Sequence, residues 1–270
     1  MNLETALTSG KLRVTDFVDA LQRNGRYTFT TAEVAAAVGC SGAALLASLR
    51  RLKTKRRLIS PRQNFYVVIP LEYQLAGSVP ADWFIDGLMA FLRKDYYVGL
   101  LSAATLHGAS HQQPQVFQVV AQEPLRPVLA GRLRIEFHRN RRLASVPCTW
   151  VNTPTGRMRI STAEATAVDL VRYPVACGGL SNVCMVLTEL AGALDQAGLA
   201  AAAQLASTPD VQRLGYLLHQ VGLPHLAEAL QTPLARRRLR TIPLRADMEP
   251  EGPVDETWRV VANDVIELDL

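Results

Sequence analysis

Apolar and polar positions alternate along the first 70 residues in a way that predicts three short helices and a hairpin. Between Val14 and Arg23, the apolar residues Phe17, Val18 and Leu21 recur at helical spacing, and Asn24-Gly25 is a stop signal. A second helix is expected over 31–38. Thr30 or Thr31 can cap it, and with Thr30 as the cap Glu33 falls at the third position of a capping box. Gly39-Cys40-Ser41 forms a short turn, with Ser41 suited to cap the next helix. That helix, expected over 41–55, carries Leu45, Leu49 and Leu52 at i, i+4 and i+7, an inward stripe. Its other side presents Ala43, Ala44, Ala47, Ser48, Arg50 and Arg51, then Lys53, Lys55, Arg56 and Arg57. Two β-rich runs, Leu58-Ile59 and Phe65-Tyr66-Val67-Val68-Ile69, flank Ser60-Pro61-Arg62-Gln63-Asn64, a hairpin with a basic, polar tip.

Helix, helix, turn, helix, hairpin is the order of a winged helix-turn-helix, expected over 1–75. Pro70 and Gly77-Ser78-Val79-Pro80 then mark a linker. A second domain starts near residue 82, where Trp83, Phe84, Leu88 and Phe91 take helical spacing, and a short helix follows over 100–107. Strands are expected over 116–121, 132–139, 148–151 and 158–160. In the second of these Leu133, Ile135 and Phe137 share one face and Arg132, Arg134, Glu136 and His138 the other. From Ser161-Thr162-Ala163-Glu164 to about residue 230 the chain is Ala/Leu-rich and helical, with Gly and Pro breaks; a polar, strand-poor tail follows Arg236-Arg237-Arg238. Strands first and helices after them give an α+β class. The expected architecture is a winged helix over 1–75, a larger α+β domain over 82–235 with a small antiparallel sheet and C-terminal helices, and an acidic extension over 236–270.

Charge sharpens this division. The formal net charge is only +5, but residues 1–75 hold eleven Lys/Arg against five acids, so the rest of the chain is close to neutral. A basic module on a neutral body points to a polyanion partner, and small residues followed by basic ones suit a helix entering a DNA groove. Ser41, Ala43, Ala44, Ala47 and Ser48 are then expected near base edges. Arg50, Arg51, Lys53, Lys55, Arg56 and Arg57 are expected on phosphate or a base, and Arg62, Gln63 and Asn64 on the backbone or minor groove. Six further arginines, Arg126, Arg132, Arg134, Arg139, Arg141 and Arg142, are expected to form a second phosphate-contacting strip, an acidic-partner interface or an ordinary solvent-facing strand. The stretch 246–270 is opposite in sign, with eight acids against Arg259. It covers a basic face, docks on a basic partner or, most simply, is solvated.

Catalytic signatures are missing. The chain has no GxxxxGK[ST], no GxGxxG after a strand, no HExxH and no GxSxG around Ser102. His107 and His111 are four apart, but Gly108 and Pro114 disfavour a helix there. Glu164 and Asp169 read as helix-start electrostatics rather than a catalytic pair. The second domain's single lysine, Lys94, argues against a nuclease. Cys40, Cys148, Cys177 and Cys184 form no CxxC pair, which fits a reducing compartment. Glu4 stands where a signal peptide would be basic, and no run of 18 uncharged apolar residues occurs. The expectation is a cytoplasmic, non-enzymatic DNA-binding protein with no membrane partner, metal or cofactor. A ligand-responsive repressor and a nucleic-acid-processing enzyme are the alternatives.

Three stretches carry a resemblance. Tyr96-Tyr97-Val98-Gly99-Leu100-Leu101-Ser102-Ala103-Ala104-Thr105-Leu106-His107-Gly108 is the first, and Gln115-Val116-Phe117-Gln118-Val119-Val120 the second. The third is Ile160-Ser161-Thr162-Ala163-Glu164-Ala165-Thr166-Ala167-Val168-Asp169-Leu170-Val171. With the preceding winged helix they resemble the AbiEi family, antitoxins of type IV toxin–antitoxin (abortive infection) systems, over roughly residues 10 to 195. The resemblance implies a transcriptional autorepressor that binds repeats of double-stranded DNA in its own promoter. It also implies a C-terminal domain that counteracts a nucleotidyltransferase-like toxin, without requiring a stable complex. Leu100, Leu101, Leu106, Val168 and Leu170 of these motifs belong in a core.

Overall fold

The computed structural model describes residues 12–40, 42–109 and 115–267. The N-terminal part consists of α1 (Val14–Arg23), β1 (Thr28–Thr30), α2 (Thr31–Val38), α3 (Ala43–Thr54), β2 (Leu58–Arg62) and β3 (Phe65–Val68). The capping box at α2 forms as the sequence predicts: Thr30 Oγ1 accepts from Glu33 N at 3.2 Å, and Glu33 Oε2 accepts from Thr30 N at 2.7 Å. Gly39, at φ 64°, ends the helix in the left-handed region that only glycine adopts freely. The N-cap of α3 is Gly42; the cap expected of Ser41 lies outside the described residues. β1 is an addition to the expected elements. It pairs antiparallel with β3, giving a three-stranded sheet in the order β1-β3-β2. Val18, Phe29, Val34, Leu45, Leu49 and Leu52 fill the core between this sheet and the helices.

The second part begins with α4 (Ile85–Leu92), β4 (Tyr96–Val98), α5 (Leu100–Leu106), β5 (Phe117–Ala121), β6 (Val128–Ala130), β7 (Leu133–Arg139), β8 (Cys148–Thr153) and β9 (Gly156–Ser161). These strands form one six-stranded sheet in the order β6-β7-β5-β4-β9-β8. The class is α+β, as expected, but the sheet is larger and mixed: β4–β9 and β5–β7 are parallel pairs. Helices α6 (Ala163–Arg172), α7 (Leu180–Leu190), α8 (Gln196–Leu205), α9 (Thr208–Gln220), α10 (Pro224–Glu228) and α11 (Gln231–Ala235) follow.

The sheet is the middle of three layers. Tyr96, Val98, Val119, Ala121 and Ile135 face a core shared with α4, whereas Tyr97 and Val120 face the helical layer. Successive residues of β4 and β5 therefore enter opposite cores, as the twofold alternation of a strand requires. Phe65 and Val67 of β3 also enter the first core, so the N-terminal sheet is fused to the second part. Phe65 packs on Phe91 with ring centres 5.3 Å apart, and Tyr27 packs edge-on against Trp83 at 4.8 Å.

The expected linker is a packed strap. Ser78, Val79 and Ala81 are buried, and Arg132 N donates to Ala76 O at 3.1 Å. Gly131, at φ 59°, lies so close that a Cβ there would sit 2.3 Å from Ala76 O.

The last segment also departs from the sequence reading. Instead of a solvated, strand-poor tail, β10 (Ile242–Pro243), β12 (Val260–Val261) and β11 (Val254–Asp255) form a small sheet in that order. Leu244, Trp258 and Val260 join the core of the helical layer. Gln212 Nε2, on α9, donates to Trp258 O at 2.8 Å and to Arg240 O at 2.9 Å. Part of the acidic charge is matched locally, by Arg245 with Asp247 and Asp264 and by Arg259 with Glu256.

Candidate nucleic-acid interface

Helices α2 and α3, separated by four residues in sequence, diverge by 116°, within the range of helix-turn-helix pairs. Because Leu45, Leu49 and Leu52 are buried, helical periodicity brings Ala43, Ala44, Ala47, Arg50 and Arg51 to solvent, with Ser48 half-buried beside them. Arg51 Nη2 donates to Ser48 Oγ at 3.3 Å. Lys53, Lys55 and Arg56 extend the same exposed surface; Arg56, at φ 54°, turns the chain out of the helix. Among the described residues none of Arg50, Arg51, Lys53, Lys55 and Arg56 pairs with a carboxylate, whereas Arg13, Arg26, Arg57, Arg172 and Arg245 all do. Sequence reasoning missed one residue here. Leu46 is 44% exposed on this face; the leucine stripe already left it outside, next to Arg50 and Lys53 along the helix.

Three expected contacts are otherwise engaged. The Arg57 guanidinium pairs with Asp19 and so ties the end of α3 to α1. Arg62 donates to the carbonyl oxygens of Arg126 and, at 3.3 Å, Pro127, with its guanidinium over the Phe137 ring at 5.8 Å. Burial, with the nearby Arg126 charge, holds its pKa below the ordinary arginine value. The cause is the fusion of β3 to the second part, which lays the hairpin against β6 and β7. Asn64 (φ 65°) accepts from Thr31 Oγ1 at 3.1 Å through its side chain, and its carbonyl accepts from Thr31 N at 3.0 Å. Gln63 is exposed at the tip.

The six arginines of the second part do not form one strip. Arg132 sits in the β6–β7 turn, at one end of β7, and Arg139, Arg141 and Arg142 at the other, about 20 Å away for a seven-residue strand. Arg134 between them pairs with Glu136, and Arg126 receives Arg62 on its carbonyl.

The interior holds a polar cluster. Tyr97 hydroxyl donates to Asp169 Oδ2 at 2.8 Å, and Asn140 Nδ2 lies 3.4 Å from the same hydroxyl. Arg172 reaches Asp169 Oδ1 at 3.5 Å but is held more closely by Asp210, at 2.9 Å from Nε and 2.8 Å from Nη2. Asp169 is 1% exposed and is not a helix-start residue. Glu164 is: its carboxylate accepts from Asp195 N at 3.3 Å. One guanidinium faces two carboxylates, and the closer one takes it. Burial therefore pushes the Asp169 carboxyl up, from its usual 3.8 to about 7. With a folded pKa above the unfolded one, the native state holds its proton more tightly. The stability from this group is complete below pH 4 and is lost as pH rises through about 7. Denaturant midpoints between pH 4 and 8 should fall more steeply with pH in the wild type than in Asp169→Asn; equal slopes would refute this.

Other chemistry-bearing groups are structural. Ser102 Oγ accepts from Gln118 N at 2.9 Å, and His107 Nε2 lies 2.8 Å from Ser161 O. His111 lies outside the described residues. Burial pushes the Cys148 thiol up to about 11 and Cys184 to about 12, which disfavours a reactive thiolate. Among the described residues no group of three His, Cys, Asp or Glu could hold a metal, and no single helix is long and apolar enough to cross a membrane.

A search of the curated proteins gave no match. Among solved structures, the crystal structure of the RV2827C protein from Mycobacterium tuberculosis superposes with a TM-score of 0.65 over 94% of each chain, at 17% sequence identity; this is a likeness of fold. Residues 97–220 match the model of the AbiEi antitoxin C-terminal domain. That span runs from Tyr97 in the sheet through Asp169 and Arg172 to the end of α9, so it takes in the buried cluster and most of the helical layer. By this match, residues 97–220 of the chain are similar to the AbiEi antitoxin C-terminal domain.

Proposed function

We propose that this chain is the DNA-binding antitoxin of a type IV toxin–antitoxin system. Its antitoxin role follows from the AbiEi domain. In this reading the N-terminal part binds repeats in the chain's own promoter and represses it, and the second domain counteracts a nucleotidyltransferase-like toxin in the cytoplasm. The observation that carries the DNA-binding half is the exposed face of α3. It bears five cations free of any carboxylate among the described residues, with small side chains at its N-terminal end. α3 enters the major groove with Ala43, Ala44, Ala47 and Ser48 near the bases, and the Leu46 methyls are suited to a thymine methyl. Arg50, Arg51, Lys53, Lys55 and Arg56 contact phosphate or a base edge.

A mobility-shift titration of the full chain on DNA from upstream of its own gene tests this. If five phosphates are neutralised, affinity falls with salt at a log–log slope of about −4.5. Binding indifferent to salt, or no preference for the upstream DNA over an unrelated duplex, would overturn the reading. The toxin half is tested separately, by whether the full chain restores growth when the product of the adjacent gene is expressed.

A further inference from the structure

The turn between β6 and β7 brings the second domain to the end of α3. Lys53, Arg56 and Arg132 line one cleft of about 350 Å³, with Leu58, Ile59 and Ile69 among its walls and no carboxylate among its lining residues. Arg132 is exposed, and its guanidinium makes no hydrogen bond or ion pair among the described residues. Its backbone is fixed all the same. Ala130 pairs with Leu133, so Gly131-Arg132 is a two-residue hairpin turn, and that turn is pressed on Ala76 and Gly77. Arg62 binds the neighbouring carbonyls of Arg126 and Pro127 and so fastens the N-terminal hairpin to the same region.

We propose that Arg132 is a DNA-backbone contact supplied by the second domain, forming with Lys53 and Arg56 a single phosphate-binding cleft; this rests on the reading of α3 as the DNA-contacting helix. The β6–β7 turn takes the role that Arg62, committed to the domain junction, leaves open in the N-terminal hairpin. Three cations without a counter-charge repel one another, and a phosphate between them removes that repulsion. The apolar walls keep the local dielectric below that of water and strengthen the attraction. Because the turn backbone is already held, binding orders only the Arg132 side chain.

The experiment compares wild type, Arg132→Ala, Arg132→Lys and a control, Arg238→Ala, in full-length protein, by anisotropy titration on the upstream duplex across a salt series. Arg132→Ala is expected to reduce the magnitude of the log–log slope by about 0.9 and to weaken binding about fivefold near 0.15 M salt. The ratio of specific to unrelated duplex should stay the same, because a phosphate contact carries no sequence information. Arg132→Lys keeps the charge and the wild-type slope, and Arg238→Ala matches wild type. A wild-type slope in Arg132→Ala overturns this proposal and leaves the reading of α3 intact. An altered sequence preference in Arg132→Ala also overturns it, since Arg132 then reads bases. Wild-type protein that shows no salt-dependent binding removes both.

Discussion

Replacing Arg50 and Arg51 together by alanine should lower affinity for the upstream DNA roughly 30- to 800-fold at physiological salt, without lowering the melting temperature. Removing one phosphate-binding cation costs about fivefold near 0.15 M salt, and a base-reading side chain is worth roughly 1–3 kcal/mol. A pair in which one arginine binds phosphate and the other reads a base therefore matches two phosphate contacts at the low end of that range and exceeds them many-fold at the high end. Stability should hold because both side chains are exposed, and the side-chain hydrogen bond they make is to Ser48, which accepts from Arg51. Arg57→Ala makes the contrast: it removes the bond to Asp19, a partly exposed pair of about 0–1 kcal/mol, and should affect stability more than the salt slope. Binding by Arg50→Ala/Arg51→Ala within twofold of wild type would remove α3 from the interface. The same variant should still relieve toxicity of the adjacent gene's product, since among the described residues no side-chain hydrogen bond or ion pair joins Arg50 or Arg51 to the second domain. Failure of that rescue would mean that antagonism runs through DNA binding.

The N-terminal elements were legible because their signals are local. The capping box at Thr30 and Glu33, the leucine stripe of α3 and the left-handed Gly39 each act within one turn of helix. β1 and β4 escaped because three residues are too few to show a period, and because Tyr96-Tyr97-Val98 is buried on both faces and reads as a continuous apolar run. The fates of Arg57 and Arg62 were not legible at all. An arginine in a basic run looks the same whether it faces solvent or a carbonyl 64 residues away, and only the docking of β3 against the second domain decides which. Asp169 was misread for a related reason. Its position after Glu164 suggests a helix start, but its burial depends on Tyr97 and Asp210, both far off in sequence. The closing segment was the largest miss. Eight acids suggest solvation, yet a single tryptophan among them outweighs that signal once a glycine on α9 leaves room for its ring.

That room makes the second large prediction. Gly215→Ala, inside α9, should destabilise the protein, although alanine at a helical glycine ordinarily gains about 1 kcal/mol. A Cβ at Gly215 would lie 2.2 Å from Trp258 Cζ3 and 2.3 Å from Cε3, so the ring must leave its place in the core. Overpacking of this kind costs about 1–3 kcal/mol, enough to reverse the helical gain. Trp258→Ala should cost about 3–5 kcal/mol, because the ring is 2% exposed and its removal opens the helical core where Leu244 and Val260 meet α9. At roughly 2–4 °C per kcal/mol for a chain of this size, that is a fall of about 6–20 °C in melting temperature. Trp258→Phe should cost much less, since the indole Nε1 is buried with no hydrogen-bond partner among the described residues, and phenylalanine removes that donor with the outer ring. The pair is also coupled. In the Trp258→Ala background, Gly215→Ala no longer meets a ring and should be neutral or stabilising, so the two changes combine far below their sum. Denaturant unfolding of the four proteins measures this directly. A wild-type background in which Gly215→Ala stabilises would show that Trp258 does not sit against α9, and the closing segment would then be no part of the helical core.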